Sequence, residues 1–162
     1  MEIIEDSALI PDMDAMLNMK PFISFEHVWE DESMIQLHIV ATDGRFAGDT
    51  TIYTTWQELS RFRERLRGFP KNRDDELETA CGVKGGYSFV SLSFRSIDKS
   101  GHIGLKVAIE QDSNRPDRSH VRSSVTLGFV VEPAEIDRLV VELRSMIAAC
   151  KGKVVLYGDE AQ

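Results

Sequence analysis

The sequence predicts an α+β domain: a mainly antiparallel sheet of about six to seven strands, with two helices packed on one face. Three observations carry this. Stretches of alternating apolar and polar residues recur along the chain. Short polar turns join most of them, which suits antiparallel pairing and not parallel crossovers. Two other segments switch to a helical period.

Residues 1–20 read as an acidic N-terminal arm, in which PDMDAMLNM is a candidate short helix starting at Pro11. The single domain is expected over residues 21–158, with 159–162 as a tail. FISFEHVW, from Phe22 to Trp29, alternates as a strand, with Ile23, Phe25, His27 and Trp29 on one side. Glu30 to Ser33 form a polar turn into MIQLHIVATD, whose Ile35, Leu37, Ile39 and Ala41 share a face. A register that pairs Trp29 with Ile35 matches the two apolar faces and sets Glu26 opposite His38 on the outer side. RFAGDTTIYTT continues as a third strand.

WQELSRFRERLRGFP, from Trp56 to Pro70, is the first helix. At 100° per residue, Trp56, Leu59, Phe62 and Leu66 fall in one apolar arc. Its alternate arginines do not form one stripe: Arg61 and Arg65 flank one edge of the arc, Arg63 and Arg67 the other. The expectation is a core-facing helix whose arginine stems lie along apolar edges with wet heads. If the helix also serves a partner, Arg61 and Arg65 are the pair that reach it together. ELETAC, YSFVSLSF, HIGLKVAIEQ and HVRSSVTLGFVVE follow as strands, with DSNRPDRS a polar loop before the last of them. Pro133 opens the clearest helix, with Ile136, Leu139, Val140, Leu143 and Ile147 as its stripe. Gly152 is expected to end it, and KVVLY adds a terminal strand.

The 162 residues carry a formal net charge of -8, unevenly spread. Residues 1–43 hold ten acids against one base, Lys20. That balance disfavours nucleic acid, which needs a basic surface. It suits either a basic protein partner or plain solubility. No run is long enough to span a membrane and the acidic start is not an export signal, so a cytoplasmic protein is expected. Cys81 and Cys150, without a CxxC pair, read as small buried apolar residues in a reducing compartment.

Catalytic patterns are absent: there is no G-x-S-x-G, Walker A, G-x-G-x-x-G or H-E-x-x-H motif. GVKGG precedes a strand and not a helix, so it reads as a turn and not a phosphate loop. His27, His38, His102 and His120 show no metal-like spacing. Glu26 with His38 is a cross-strand surface pair, and Ser100 is the local candidate partner of His102. Glu30 to Glu32 lack the alternation of a calcium loop and read as a hairpin tip. No catalytic residue, metal ligand or cofactor is therefore expected.

A hairpin, a strand and an L-x-x-F-x-x-x-L helix (Leu59, Phe62, Leu66) precede strands with a G-H dipeptide at Gly101 and His102. A closing helix carries Leu139 and Leu143. Over residues 22–148 this resembles small bacterial proteins of unassigned function and is similar to immunity proteins of the wall-associated toxin-immunity type. The resemblance implies a protein that binds and neutralises a toxin. Together with the missing motifs, it makes a non-catalytic bacterial protein-binding module the expected function. The candidate contact residues are Glu30, Asp31, Glu32, Arg61 and Arg65. The alternative is a small-molecule-binding or catalytic domain with a pocket between sheet and helices, lined by Phe25, Trp29 and Trp56.

Overall fold

The computed structural model describes residues 19–112 and 121–160. The candidate N-terminal helix and His120 lie outside these residues. Among the described residues, eight strands and two helices follow in the order β1 (Phe22–Glu30), β2 (Ile35–Thr42), β3 (Ala47–Thr54), α1 (Trp56–Leu66), β4 (Glu76–Gly82), β5 (Ser88–Ser96), β6 (Ile103–Asp112), β7 (Arg122–Val131), α2 (Pro133–Ala149) and β8 (Lys153–Tyr157).

The single sheet expected from sequence is two sheets. One has the order β3-β2-β1-β8, the other β4-β5-β6-β7, and all pairings are antiparallel. The break falls at α1, which leads the chain from β3 across to β4. The terminal strand then returns to the first sheet beside β1. β3 touches every strand of the second sheet, so it crosses them instead of running alongside. Gly48 marks the closest approach: a Cβ there would meet Val125 Cγ1 at 2.6 Å. Thr50 Oγ1 also donates across the junction to Gln111 Oε1.

Both sheets turn one apolar face into a common core. Ile23, Phe25, Leu37, Ile39, Ile52 and Leu156 come from the first, and Val90, Leu92, Phe94, Leu105, Val107 and Leu127 from the second. The helices close the core. Phe62 of α1 stands between the sheets, its ring 6.4 Å from Phe25 and 6.2 Å from Phe94. Burying such a ring fully stabilises by about 1.5–3 kcal/mol. Thr55 caps α1, its hydroxyl accepting the Glu58 N–H at 3.0 Å. The predicted arc is buried at Leu59, Phe62 and Leu66.

The arginines of α1 divide differently from the helical-wheel expectation. Arg63 Nε donates to Val140 O of α2 at 2.9 Å, and Arg65 Nη2 to Glu78 O of β4 at 2.8 Å. Arg61 and Arg67 pair with Glu58 and Glu64 at the surface. Opposite edges of the arc therefore each supply one arginine that ties α1 to a neighbour and one that stays in solvent. The second helix buries Ile136, Leu139, Val140, Leu143 and Met146, with Ile147 half-buried. It ends at Ala149, before Gly152, because Cys150 takes the left-handed conformation (φ 54°) and caps it. Cys150 is thus exposed and not buried, Cys81 is half-buried, and both are free thiols.

The β1–β2 register holds from Phe22–Thr42 to His27–Leu37, including Glu26 opposite His38. It then shifts by one residue between His27 and Trp29. Trp29 consequently faces Gln36 instead of Ile35 and lies on the outer side, 45% exposed. Alternation cannot reveal such a bulge when the displaced residue is itself apolar.

Candidate functional site

The bulge builds the most distinctive surface of the molecule. Past it, Trp29 packs edge-on against Tyr53 of β3, ring centroids 6.1 Å apart, with Tyr53 50% exposed. Val28 and Met34 are exposed at the same end of the hairpin. Between the strands, Asp31 Oδ1 accepts the backbone N–H groups of Ser33 and Met34, both at 2.8 Å. The Ser33 and then the Met34 N–H hold its carboxyl below the usual carboxylate range. Of the three predicted tip acids, Asp31 therefore shapes the turn, whereas Glu30 and Glu32 project into solvent. Glu30 Oε1 lies 3.6 Å from His27 Nε2. That nitrogen and Trp56 Nε1 are buried without a hydrogen-bond partner among the described residues. The two rings sit against each other, centroids 5.2 Å apart.

Met34 and Tyr53 also line the mouth of an apolar crevice of about 350 Å³ that runs between the two sheets and α1. Its walls include Phe25, Leu37, Leu59, Phe62, Val90 and Leu92. Thr54, Thr55, Glu58 and Cys81 are its main polar lining. Burial pushes the Cys81 thiol up, keeping it protonated, and its Sγ donates to Tyr53 O at 3.1 Å. Of the three residues expected to line a pocket, only Phe25 does so. Trp29 stands outside it and Trp56 packs on His27.

On the outer face of β1–β3, His38 bonds not to its register partner Glu26 but to Asp49 on β3, Nε2 to Oδ2 2.8 Å. Asp49, Glu26, Glu30 and Glu32 give the outer face of the first sheet and its hairpin tip a run of partly or fully exposed acids. Of the helix candidates, Arg61 is paired with the crevice-lining Glu58, and Arg65 donates to the Glu78 carbonyl.

A second cluster lies at the other end of β1. His102, just before β6, has Asp98 Oδ2 2.6 Å from Nδ1 and Glu132 Oε1 3.0 Å from Nε2. Its partner is thus Asp98, not Ser100. The Asp98 hydrogen bond raises the His102 pKa above its ordinary value. Glu132 occupies the N-cap position of α2 but makes no side-chain cap bond. Its carboxylate turns to His102 instead. Asp159 completes a group in which one ligand atom from each of His102, Glu132 and Asp159 lies within 4.8 Å of the others. Sequence reading missed this group because its members sit on three distant segments, with no spacing to betray them.

Among the described residues, no helix is long and apolar enough to cross a membrane. A family model described as "Immunity protein WapI-like family" matches residues 19–151. No curated protein matches the chain. Among solved structures, the crystal structure of WHY1 from Arabidopsis thaliana aligns with 83% of this chain and 81% of that chain, at 12% identity and a TM-score of 0.45.

Proposed function

We propose that this chain, which belongs to the WapI-like immunity protein family, neutralises a basic toxin domain by binding it at the β1–β2 hairpin. The observation that carries the reading is the exposed Trp29–Tyr53 pair beside Met34, set between acidic side chains and the mouth of an apolar crevice. Interface energy concentrates in a few aromatic anchors surrounded by a polar rim. Trp29 and Tyr53 supply such anchors, and the crevice accepts an apolar side chain from the partner. Glu30 and Glu32 supply a rim that steers a basic surface. Arg61 contributes only through its pairing with Glu58 at the crevice mouth. Inhibition by this route needs no catalysis by the immunity protein, because occupying the toxin's surface suffices.

The test is co-expression with the toxin domain encoded by the neighbouring reading frame. The wild-type chain is expected to protect the host and to copurify with that domain. Trp29→Ala is expected to weaken binding by about 2 kcal/mol or more, roughly thirtyfold in Kd, with the melting temperature unchanged because Trp29 lies outside the core. A wild-type chain that gives neither protection nor copurification would sink the proposal.

A second reading rests on the crevice itself, whose volume lies at the lower end of the range for small-molecule pockets. Under that reading a bulky residue at Thr79, whose half-buried side chain alternates onto the crevice side of β4, would abolish ligand binding.

A further inference from the structure

The hairpin leaves the cluster at the opposite end of β1 unexplained. Three separate segments deliver its donors: the turn before β6 brings His102, the β7–α2 junction brings Glu132, and the chain beyond β8 brings Asp159. Their placement is specific. Asp98 Oδ1 accepts the backbone N–H groups of Ser100 and His102, and Oδ2 sits 2.6 Å from His102 Nδ1. Asp98 thus holds the ring by one nitrogen and turns the other, Nε2, toward Glu132 and Asp159. Asp159 is held as firmly. Its N–H donates to Val130 O at 2.7 Å, and the preceding Gly158 N–H donates to Pro21 O at 2.8 Å. Gly158 is required there, because a Cβ would lie 2.3 Å from the Phe129 ring.

The charges of the cluster are not balanced by ordinary ion pairing. Among the described residues, neither lysine nor arginine lies within ion-pair distance of Asp98, Glu132 or Asp159. Beside them opens a cavity of about 420 Å³, also lined by Asp43 and Glu160. An imidazole oriented through its far nitrogen by a carboxylate is the arrangement by which proteins present histidine to a metal. One nitrogen and two carboxylate oxygens suit a divalent cation of borderline character, and the adjoining cavity leaves room for water as a further ligand.

We infer that His102, Glu132 and Asp159 form a binding site for a divalent transition-metal cation of the zinc class, with Asp98 as the positioning residue. The cation is held between the His102 imidazole and the two carboxylates of Glu132 and Asp159. Its effect is to tie the chain after β8, which belongs to the first sheet, to β6 of the second sheet and to α2.

Zinc chloride titrated into the full chain by calorimetry tests this. One saturable site is expected, with a rise in melting temperature and a change in the His102 imidazole nitrogen shift. His102→Ala and Asp159→Asn should each weaken binding at least tenfold, and Asp98→Asn about 10–100-fold. His38→Ala and Cys150→Ser should leave it unchanged. Asp159→Asn conserves volume, so it reports on the site even if His102→Ala folds poorly. Absence of saturable zinc binding overturns the inference. So does zinc binding that survives both His102→Ala and Asp159→Asn. Calcium bound as tightly as zinc, and insensitive to His102→Ala, would likewise overturn it in favour of a plain carboxylate patch.

Discussion

The two ends of β1 are both acidic, and they use their acids in opposite ways. At the hairpin end, Asp31 turns inward onto the backbone while Glu30 and Glu32 face solvent beside exposed aromatic rings. At the other end, Asp98, Glu132 and Asp159 converge on one imidazole. A nine-residue strand separates them, roughly 25–30 Å at about 3.3 Å per residue. Like charges that diverge make a surface that steers a partner, whereas like charges that converge need a cation between them. Net charge therefore says little about what an acidic segment does until the direction of each carboxylate is known.

The largest perturbation should remove the contrast by damaging what both ends share. Phe62→Ala leaves a void between Phe25 and Phe94 and is expected to cost about 3–5 kcal/mol in urea unfolding. A cost below about 1 kcal/mol would mean that Phe62 does not join the sheets. Gly158→Val should separate the ends. Its side chain collides with Phe129, so a loss of about 1–3 kcal/mol is expected. Zinc binding should fall with it while toxin binding at the hairpin persists.

Glu30→Lys combined with Glu32→Lys sharpens the contrast from the other side. The association rate with the toxin domain should drop roughly tenfold at low salt, and the difference should shrink at about 0.5 M salt. Zinc affinity should not change. The smallest effect is local and depends on pH. Asp31 has a folded pKa below its ordinary value of 3.8, so its turn contributes stability above that value and loses it as pH falls through the folded pKa. The amide signals of Ser33 and Met34 should titrate with a midpoint below 3.8, and a midpoint at or above it breaks the assignment.

The strands and helices are readable in the chain because each buries one periodic face. Val90, Leu92 and Phe94 alternate, and Ile136, Leu139 and Leu143 follow the helical period. Even the Glu26–His38 register is legible from matched faces. Sheet membership is not. Alternation says that Leu77 and Leu37 each face a core, but nothing in it says that they lie on different sheets. The proposed partner face was half legible: the acids of the tip stand out, but the bulge that exposes Trp29 leaves no mark in an apolar run. The backbone ties of the arginines were not legible for a related reason. Wheel positions report an angle, while Val140 O and Glu78 O, which hold Arg63 and Arg65, come from elements distant in sequence.

The pairing of β1 with β8 has a mechanical consequence. Phe22 lies opposite Tyr157, so the residues at which the chain enters β1 and leaves β8 are neighbours at one end of the ladder. Tension applied at residues 19 and 160 would load that end first and open the ladder pair by pair, like a zipper, instead of shearing all its hydrogen bonds together. The first resistance would come from the Gly158–Pro21 and Asp159–Val130 hydrogen bonds. A cation held by Asp159 would then act as the catch on the zipper.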